Sequence, residues 1–462
     1  MSAATDMPAR TLAQFAALAG GVLHGEDRPY AAVNSDSRGL SAGDLFVALR
    51  GPRFDGNEFV AAARAAGAAG ALVERHDGSA LPQIVVDDAL AALTRAAAGW
   101  RASYPGVVVA VAGSNGKTTV KEMIAAILAR RGPTLATRGN LNNHIGVPLT
   151  LLRLAPEQLH AVVEVGANHP GEVAALTALV RPDVAIITNA GAEHLEGFGS
   201  IEGVARAEGE LFAGIEPQAT AIINADDEFA SLWSEMSRGK PVRFGLGAAA
   251  EYSATDIRHD VGADGFVTRF ALISPAGRTS VELRLAGMHN LQNAIGAAAA
   301  AVAAGATLEH VREGLGTMRA VAGRLQFKTA RGAWIIDDSY NANPSSMRAA
   351  IDVLATLPGH RWLVVGDMAE LGDYARSSHI ELGRHARARG IERLFATGEL
   401  AALAVEEFGS GAEWFPDAAA IGRSLAPQLR TGVSILVKGS RMNRLERVVE
   451  QLVGGAEAEA HA

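Results

Sequence analysis

Val107-Val108-Val109-Ala110-Val111-Ala112-Gly113-Ser114-Asn115-Gly116-Lys117-Thr118-Thr119 runs from an apolar strand through a glycine turn into a pair of hydroxyls. A six-residue run with no polar side chain suits a strand covered on both faces. Beyond the turn, Val120, Met123, Ile124, Ile127 and Leu128 recur at helical spacing. Gly113 and Gly116 let the backbone curl so that successive N–H groups point inward at an anion, and the helix start adds its partial positive charge. Lys117 can then reach the β- and γ-phosphates of a nucleotide, and the Thr118 hydroxyl can ligate Mg²⁺. The strict phosphate-loop pattern would put glycine at Val111, but the shorter Gly-x-x-Gly-Lys-Thr form is intact. The strand before it and the amphipathic helix after it set it apart from a glycine turn with a solvated lysine.

Further apolar strands follow at Ala161 to Val165, Val184 to Thr188 and Ala221 to Asn224, separated by helical stretches. The alternation predicts a mostly parallel sheet covered on both faces. A second alternation starts near Arg324, with strands at Trp334 to Ile336, Trp362 to Val365, Leu394 to Ala396 and Ser434 to Val437. The intervening Pro344 to Leu357 stretch places proline in a first helical turn. This predicts a Rossmann-like open sheet. Residues 1 to about 105 differ again in texture, with Ala, Gly and short apolar runs such as Leu45 to Leu49. The expectation is therefore an α/β protein of three domains. These are a smaller N-terminal α/β domain (1–105), a central phosphate-loop ATPase domain (106–322) and a C-terminal Rossmann-like domain (323–462).

Composition limits the function classes. Of 462 residues, 48% are hydrophobic and 20% charged, which suits several globular cores. The formal charge of −8 argues against a general nucleic-acid or anionic-membrane partner. Without cysteine, disulfides, thiolate metal sites and cysteine nucleophiles are excluded. Met1 to Ala19 mixes Asp6, Arg10 and Gln14 among small residues and does not resemble a secretory leader. The Ala- and Gly-rich run Ile295 to Leu308 is shorter than the roughly 18 residues of a membrane span, so it reads as one buried helix. A cytoplasmic protein is expected. The one low-complexity stretch is the tail from Gly454.

Glu164 lies near the end of its strand, where a buried carboxylate needs a cation or hydrogen bonds. In a nucleotide-binding sheet that position adjoins the phosphate loop, and Mg²⁺ favours such oxygen ligands. His194 follows the next apolar strand; neighbouring Glu193 and Glu196 take no assigned role.

Together these stretches resemble the Mur ligases of peptidoglycan synthesis over nearly the whole chain. The matching motifs are Gly-Ser-Asn-Gly-Lys-Thr-Thr (113–119), Gly-Asn-Leu-Asn-Asn (139–143), Glu-Val-Gly-Ala-Asn-His (164–169) and His-Leu-Glu-Gly-Phe-Gly-Ser (194–200). Gly-Met-His-Asn-Leu-Gln-Asn (287–293), Gly-Arg-Leu (323–325), Asp-Asp-Ser-Tyr-Asn-Ala-Asn-Pro (337–344), Gly-Asp-Met-Ala-Glu-Leu-Gly (366–372) and Lys-Gly-Ser-Arg (438–441) complete the set. The motifs at 337–344 and 366–372 favour the branch that joins D-alanyl-D-alanine to UDP-N-acetylmuramoyl-tripeptide.

The resemblance implies a UDP-sugar domain, an ATPase domain and a closing C-terminal domain, working as a monomer with ATP and Mg²⁺. It implies that Gly113, Ser114, Asn115, Gly116, Lys117, Thr118 and Thr119 hold the phosphates and that Asn290 and Asn293 lie near adenine. Arg324 and Asp338 would reach the nucleotide from the third domain. Metal would sit near Thr118, Glu164 and His194. The substrates would meet Asn140, Asn142, Asn143, Asn341 and Asn343, and the uridine end would meet Ser35, Asp36, Ser37 and Arg38, close in sequence to Phe54-Asp55-Gly56-Asn57. Catalysis would fall to Lys117 and His194. Many Mur ligases also carry a lysine, carbamylated by CO₂, that presents a carboxylate near Mg²⁺. Here that register reads Glu208-Gly209-Glu210-Leu211-Phe212, and no lysine lies between Lys121 and Lys240. Glu208 is expected to supply the carboxylate directly, independently of CO₂. Two other readings share the phosphate loop: a sister ligase that adds glutamate to folate, and a non-enzymatic ATP-binding switch. Residues 1–105 count against the first, and the polar cluster Asp337 to Asn343 against the second.

Overall fold

Val107–Ala112 forms the predicted strand and lies inside a parallel sheet, hydrogen-bonded to Val184–Ile187 on one side and His160–Glu164 on the other. The computed structural model describes residues 7, 9–52, 54–262 and 264–460. Parts of two sequence readings fall outside these: the leader segment at residues 1–6 and 8, and the tail at residues 461–462. Among the described residues the central sheet has six strands, ordered Lys240–Phe244, Thr220–Asn224, Val184–Ile187, Val107–Ala112, His160–Glu164 and Thr134–Ala136, all parallel. Val108 to Ala112 are fully buried, as a strand with helices on both faces requires. The next two strands in sequence, Thr134–Ala136 and His160–Glu164, lie on one side of Val107–Ala112, and the later strands lie on the other. A crevice therefore opens at that strand's carboxyl end, where the phosphate loop emerges.

The phosphate-loop helix Lys117–Leu128 packs against Met288–Ala303, whose alanines Ala297 to Ala301 are fully buried. Their small side chains allow the two helices to approach closely. The single helix expected over Ile295 to Leu308 is two helices. The first ends at Ala303, Gly305 takes φ +96, and Thr307 caps Leu308–Gly316 through a reciprocal bond with His310. Sequence reasoning also missed the antiparallel sheet Ser253–Gly262, Gly265–Ser274 and Gly277–Leu283. The first of these strands is mostly exposed and lacks a clean two-residue alternation.

The C-terminal sheet also has six strands among the described residues, ordered Gln326–Ala330, Ala333–Asp338, Val433–Lys438, His360–Val365, Arg393–Thr397 and Ala412–Phe415. Its first pair is antiparallel and the rest are parallel. The register sets Asp338 opposite Lys438 at the carboxyl ends. The N-terminal five-stranded sheet is mostly parallel and includes Leu45–Val47. It is tied to the central unit by the Trp100 indole N–H and the Arg10 guanidinium, which both donate to the Leu154 carbonyl. Arg101 donates to the carbonyls of Val180 and Arg181. No helix among the described residues is long and apolar enough to cross a membrane.

Candidate active site

Ser114 to Thr119 line a cleft of about 600 Å³ that they share with residues of the C-terminal unit, while Gly113 lies just outside its lining. The curl of the loop is enforced by its glycines. Gly113 has φ +116 and a Cβ there would strike the Thr188 hydroxyl; Gly116 has φ +83, and a Cβ would meet Asn293 Oδ1 at 2.7 Å. The neighbouring strand end braces the loop from outside. Asn189 accepts the N–H of Ser114 at its carbonyl and that of Asn115 at its side chain, and the Thr188 hydroxyl donates to the Asn115 carbonyl at 2.7 Å.

Lys117 folds back over the loop, donating to the carbonyls of Gly113 and Ser114 and to Glu193 Oε1 at 2.9 Å. Burial opposes its charge, but Glu193, Glu208 and Glu164 outweigh that and raise its pKa. The ammonium is thus held charged at the mouth of an anion cradle. Glu193, left unassigned by sequence reasoning, is its direct partner; the only signal was its position beside His194.

Glu164 is 1% exposed. Its Oε1 accepts from the Thr118 hydroxyl at 3.3 Å and from Asn142 Nδ2 at 2.9 Å, while Oε2 has no hydrogen-bond partner. A buried carboxylate oxygen left open beside a hydroxyl is a suitable donor for a hard cation. His194 lines the same cleft in a left-handed conformation (φ +50), but its Nδ1 pairs with Glu370 of the C-terminal unit at 2.5 Å. No cluster of three or more His, Cys, Asp or Glu side chains among the described residues is spaced to hold a metal ion.

Asn290 and Asn293 share one helical face, as their spacing predicts. Asn290 donates to the Ala286 carbonyl and accepts from Asn293, and both line the cleft. From the opposite side, Arg324 reaches Thr118 Oγ1 at 3.3 Å with its guanidinium over the Tyr340 ring. Asp338 accepts the Leu325 N–H and pairs with Lys438 at 2.7 Å, and Lys438 also donates to the Asn341 carbonyl. Burial raises the Asp338 carboxyl against the pull of Lys438. Lys438 is 3% exposed and belongs to the site. It closes an apolar strand inside a motif that sequence reading had already picked out, but only the register with Asp338 reveals its partner.

The remaining candidates divide. Asn140, Asn142, Asn341 and Asn343 line the cleft. Asn343 also caps the helix Pro344–Ala355 and donates to Asn115 Oδ1 at 2.8 Å, while Asn115 donates to Ser345. Asn143 is not among the lining residues; it caps the helix start at Ile145 and Gly146. Ser35, Asp36, Ser37 and Arg38 form a separate turn on the N-terminal unit in which Asp36 holds Arg38. Thr119 lines the cleft as expected. Glu208 lies beneath the loop, 3% exposed and outside the cleft lining, with Oε2 accepting the Gly113 N–H at 2.8 Å. Burial, reinforced by Glu193 and opposed by Lys117, pushes its carboxyl up to about 7.

Three family domains match the chain: the Mur ligase family catalytic domain over residues 29–101, the Mur ligase middle domain over 111–301 and the Mur ligase glutamate ligase domain over 323–441. The chain is 46% identical over 446 residues to the UDP-N-acetylmuramoyl-tripeptide–D-alanyl-D-alanine ligase of Escherichia coli (strain K12), covering 96% of this chain and 98% of that one. It belongs to the Mur ligase family. Among solved Mur ligases, a crystal structure of MurF from Acinetobacter baumannii superposes with a TM-score of 0.89 at 37% identity, covering 96% of this chain and 99% of that one. MurF ligase from Thermotoga maritima in complex with ADP superposes at 0.82 with 28% identity, covering 93% and 98%. As a Mur ligase, the chain keeps the glycine turn, the strand-end glutamate and the third-unit arginine in one cleft.

Proposed function

We propose that this Mur ligase joins D-alanyl-D-alanine to UDP-N-acetylmuramoyl-tripeptide, converting ATP to ADP and phosphate. The observation that carries the reading is the meeting of Lys117, Thr118 and Glu164 with Arg324, Asp338 and Lys438 across one cleft, in a chain nearly half identical to a ligase of that name. Residues 1–105 take the UDP-sugar, 106–322 the ATP, and 323–462 close over both. The enzyme acts as a monomer in the cytoplasm, apart from nucleic acid and membrane.

The chemistry runs in two displacements. A tripeptide carboxylate oxygen attacks the γ-phosphorus, the bond to the β–γ bridging oxygen breaks, and ADP departs. The dipeptide amine then attacks the acyl carbon, loses a proton, and expels phosphate as the amide forms. The work of the protein is positioning and charge placement. The N–H groups of Gly113, Ser114 and Asn115 are taken by Glu208 and Asn189, so Gly116 to Thr119 at the helix start cradle the phosphates with theirs, and Lys117 exchanges Glu193 for the transferring phosphoryl oxygens. Asn290 and Asn293 face adenine; Arg324 and Asp338 complete the nucleotide site from the third unit. Asn140, Asn142, Asn341 and Asn343 orient the substrates, and Ser35 to Arg38 meet the uridine end. Glu164, with its open Oε2, and the Thr118 hydroxyl are the groups fitted to hold Mg²⁺, which would supply charge neutralisation at the phosphates; His194 joins them if it leaves Glu370. Glu208 acts by fixing the Gly113 N–H, so that the loop keeps its shape without a carbamylated lysine.

The test is trapping of the activated acid. Enzyme with ATP and UDP-N-acetylmuramoyl-tripeptide, but no dipeptide, is incubated with hydroxylamine and examined by mass spectrometry. A hydroxamate of the tripeptide is expected; ADP formation with no hydroxamate contradicts the acyl-phosphate route.

A further inference from the structure

Lys121 is fully buried on the face of the phosphate-loop helix that otherwise carries Val120, Ile124 and Leu128. A lysine there is costly unless its charge is used, and an apolar side chain would satisfy the packing alone. The ammonium donates to two backbone carbonyls, Thr137 at 2.7 Å and, more weakly, Gly139 at 3.4 Å, and it pairs with Glu122 Oε1 at 2.8 Å. Glu164 Oε2 lies further off at 3.9 Å and remains without a hydrogen bond. Lys121 therefore offsets the charge of Glu164 while leaving its open oxygen open.

The same contacts shape the neighbouring loop. Thr137 and Gly139 flank Arg138, and both carbonyls turn onto one ammonium. The Thr137 hydroxyl accepts the Glu164 N–H at 3.0 Å, and Asn142 in the loop that follows returns to Glu164 Oε1. Asn140 and Asn142 face the cleft from this loop. One buried charge thus joins the substrate loop to the strand-end carboxylate.

We propose that Lys121 is a positioning residue for the nucleotide-peptide substrate, holding the 137–142 loop against the cleft and keeping Glu164 in place. This rests on the reading of that loop and of Glu164 given under the proposed function.

The test is Lys121→Met, which keeps the stem and removes the charge and donors. Hydrogen exchange of residues 137–143 is measured on the ligand-free protein, beside the KM of each substrate. The expected result is faster exchange in 137–143 with residues 113–118 unchanged. KM for UDP-N-acetylmuramoyl-tripeptide should rise about 10- to 100-fold, with KM for the dipeptide within about twofold of the parent. Unchanged exchange and unchanged KM overturn the proposal, as does an equal rise in every KM. If circular dichroism shows that Lys121→Met does not fold, Lys121→Gln takes its place; if neither folds, Lys121 is structural and the proposal fails. A parent enzyme inactive with these substrates would sink the functional reading, while the exchange data would still decide the role of Lys121 in the loop.

Discussion

Glu208→Gln keeps the side chain's length and an acceptor for the Gly113 N–H but removes the charge. Burial raises the Glu208 carboxyl from 4.5 to about 7, against the pull of Lys117. The folded chain then holds this proton more tightly than the unfolded chain. The group's contribution favours folding fully below 4.5, and that advantage is lost as pH rises through about 7. Above that, the ionised carboxylate costs about 3 kcal/mol, at roughly 1.4 kcal/mol for each tenfold change in proton affinity. The glutamine variant escapes this cost. It is expected to be more stable than the parent by about 3 kcal/mol at pH 8, shrinking to about 1 kcal/mol at pH 5. Thermal unfolding of the ligand-free proteins reads this as a rise of roughly 6–12 °C at pH 8 if the central unit melts as a block. Glu208→Ala, which leaves the Gly113 N–H without its buried acceptor, should instead lose roughly 1–3 kcal/mol from the missing bond alone. An equal shift of the glutamine variant at both pH values, or none at pH 8, would refute the assignment of a buried, proton-retaining carboxyl under the loop.

Lys117→Ala is expected to abolish phosphate release and leave the circular dichroism spectrum unchanged; a normal rate with the correct substrates would remove Lys117 from the ATP site. The third unit meets the central unit through polar contacts that include Asn343 to Asn115 in the phosphate loop and Glu370 to His194. X-ray scattering should therefore show contraction when an ATP analogue and the tripeptide substrate are added together, and superimposable curves would count against closure. Gly314→Ala places a Cβ 2.5 Å from Ile127 Cα, between two packed helices. It should destabilise by about 1–3 kcal/mol in denaturant titration, and a neutral result would show that the helix pair can move apart freely.

The interior strands of the two six-stranded sheets were legible as short apolar runs, Val107–Ala112 the clearest; the edge strands Thr134–Ala136, Lys240–Phe244, Gln326–Ala330 and Ala412–Phe415 carry no such run. The phosphate loop was legible because glycine, lysine and threonine spacing encodes a local backbone shape. What stayed hidden depends on partners distant in sequence. Lys438 meets Asp338 only when two parallel strands fix their register. Lys121 gave no signal in the sequence; its role shows only once its helix turns it under the substrate loop. Glu208 was legible as a departure from the family pattern, but not its destination, since an expected carboxylate facing the cleft became an acceptor for the loop backbone. The sheet of residues 253–283 escaped because exposed strands need no apolar alternation.

The most direct measurement is phosphate release with ATP and each substrate alone and in combination. The account predicts rapid, sustained release only when UDP-N-acetylmuramoyl-tripeptide and D-alanyl-D-alanine are both present, with one amide product formed for each phosphate. Sustained release with folate and glutamate in their place, or release that ignores the dipeptide, would contradict it.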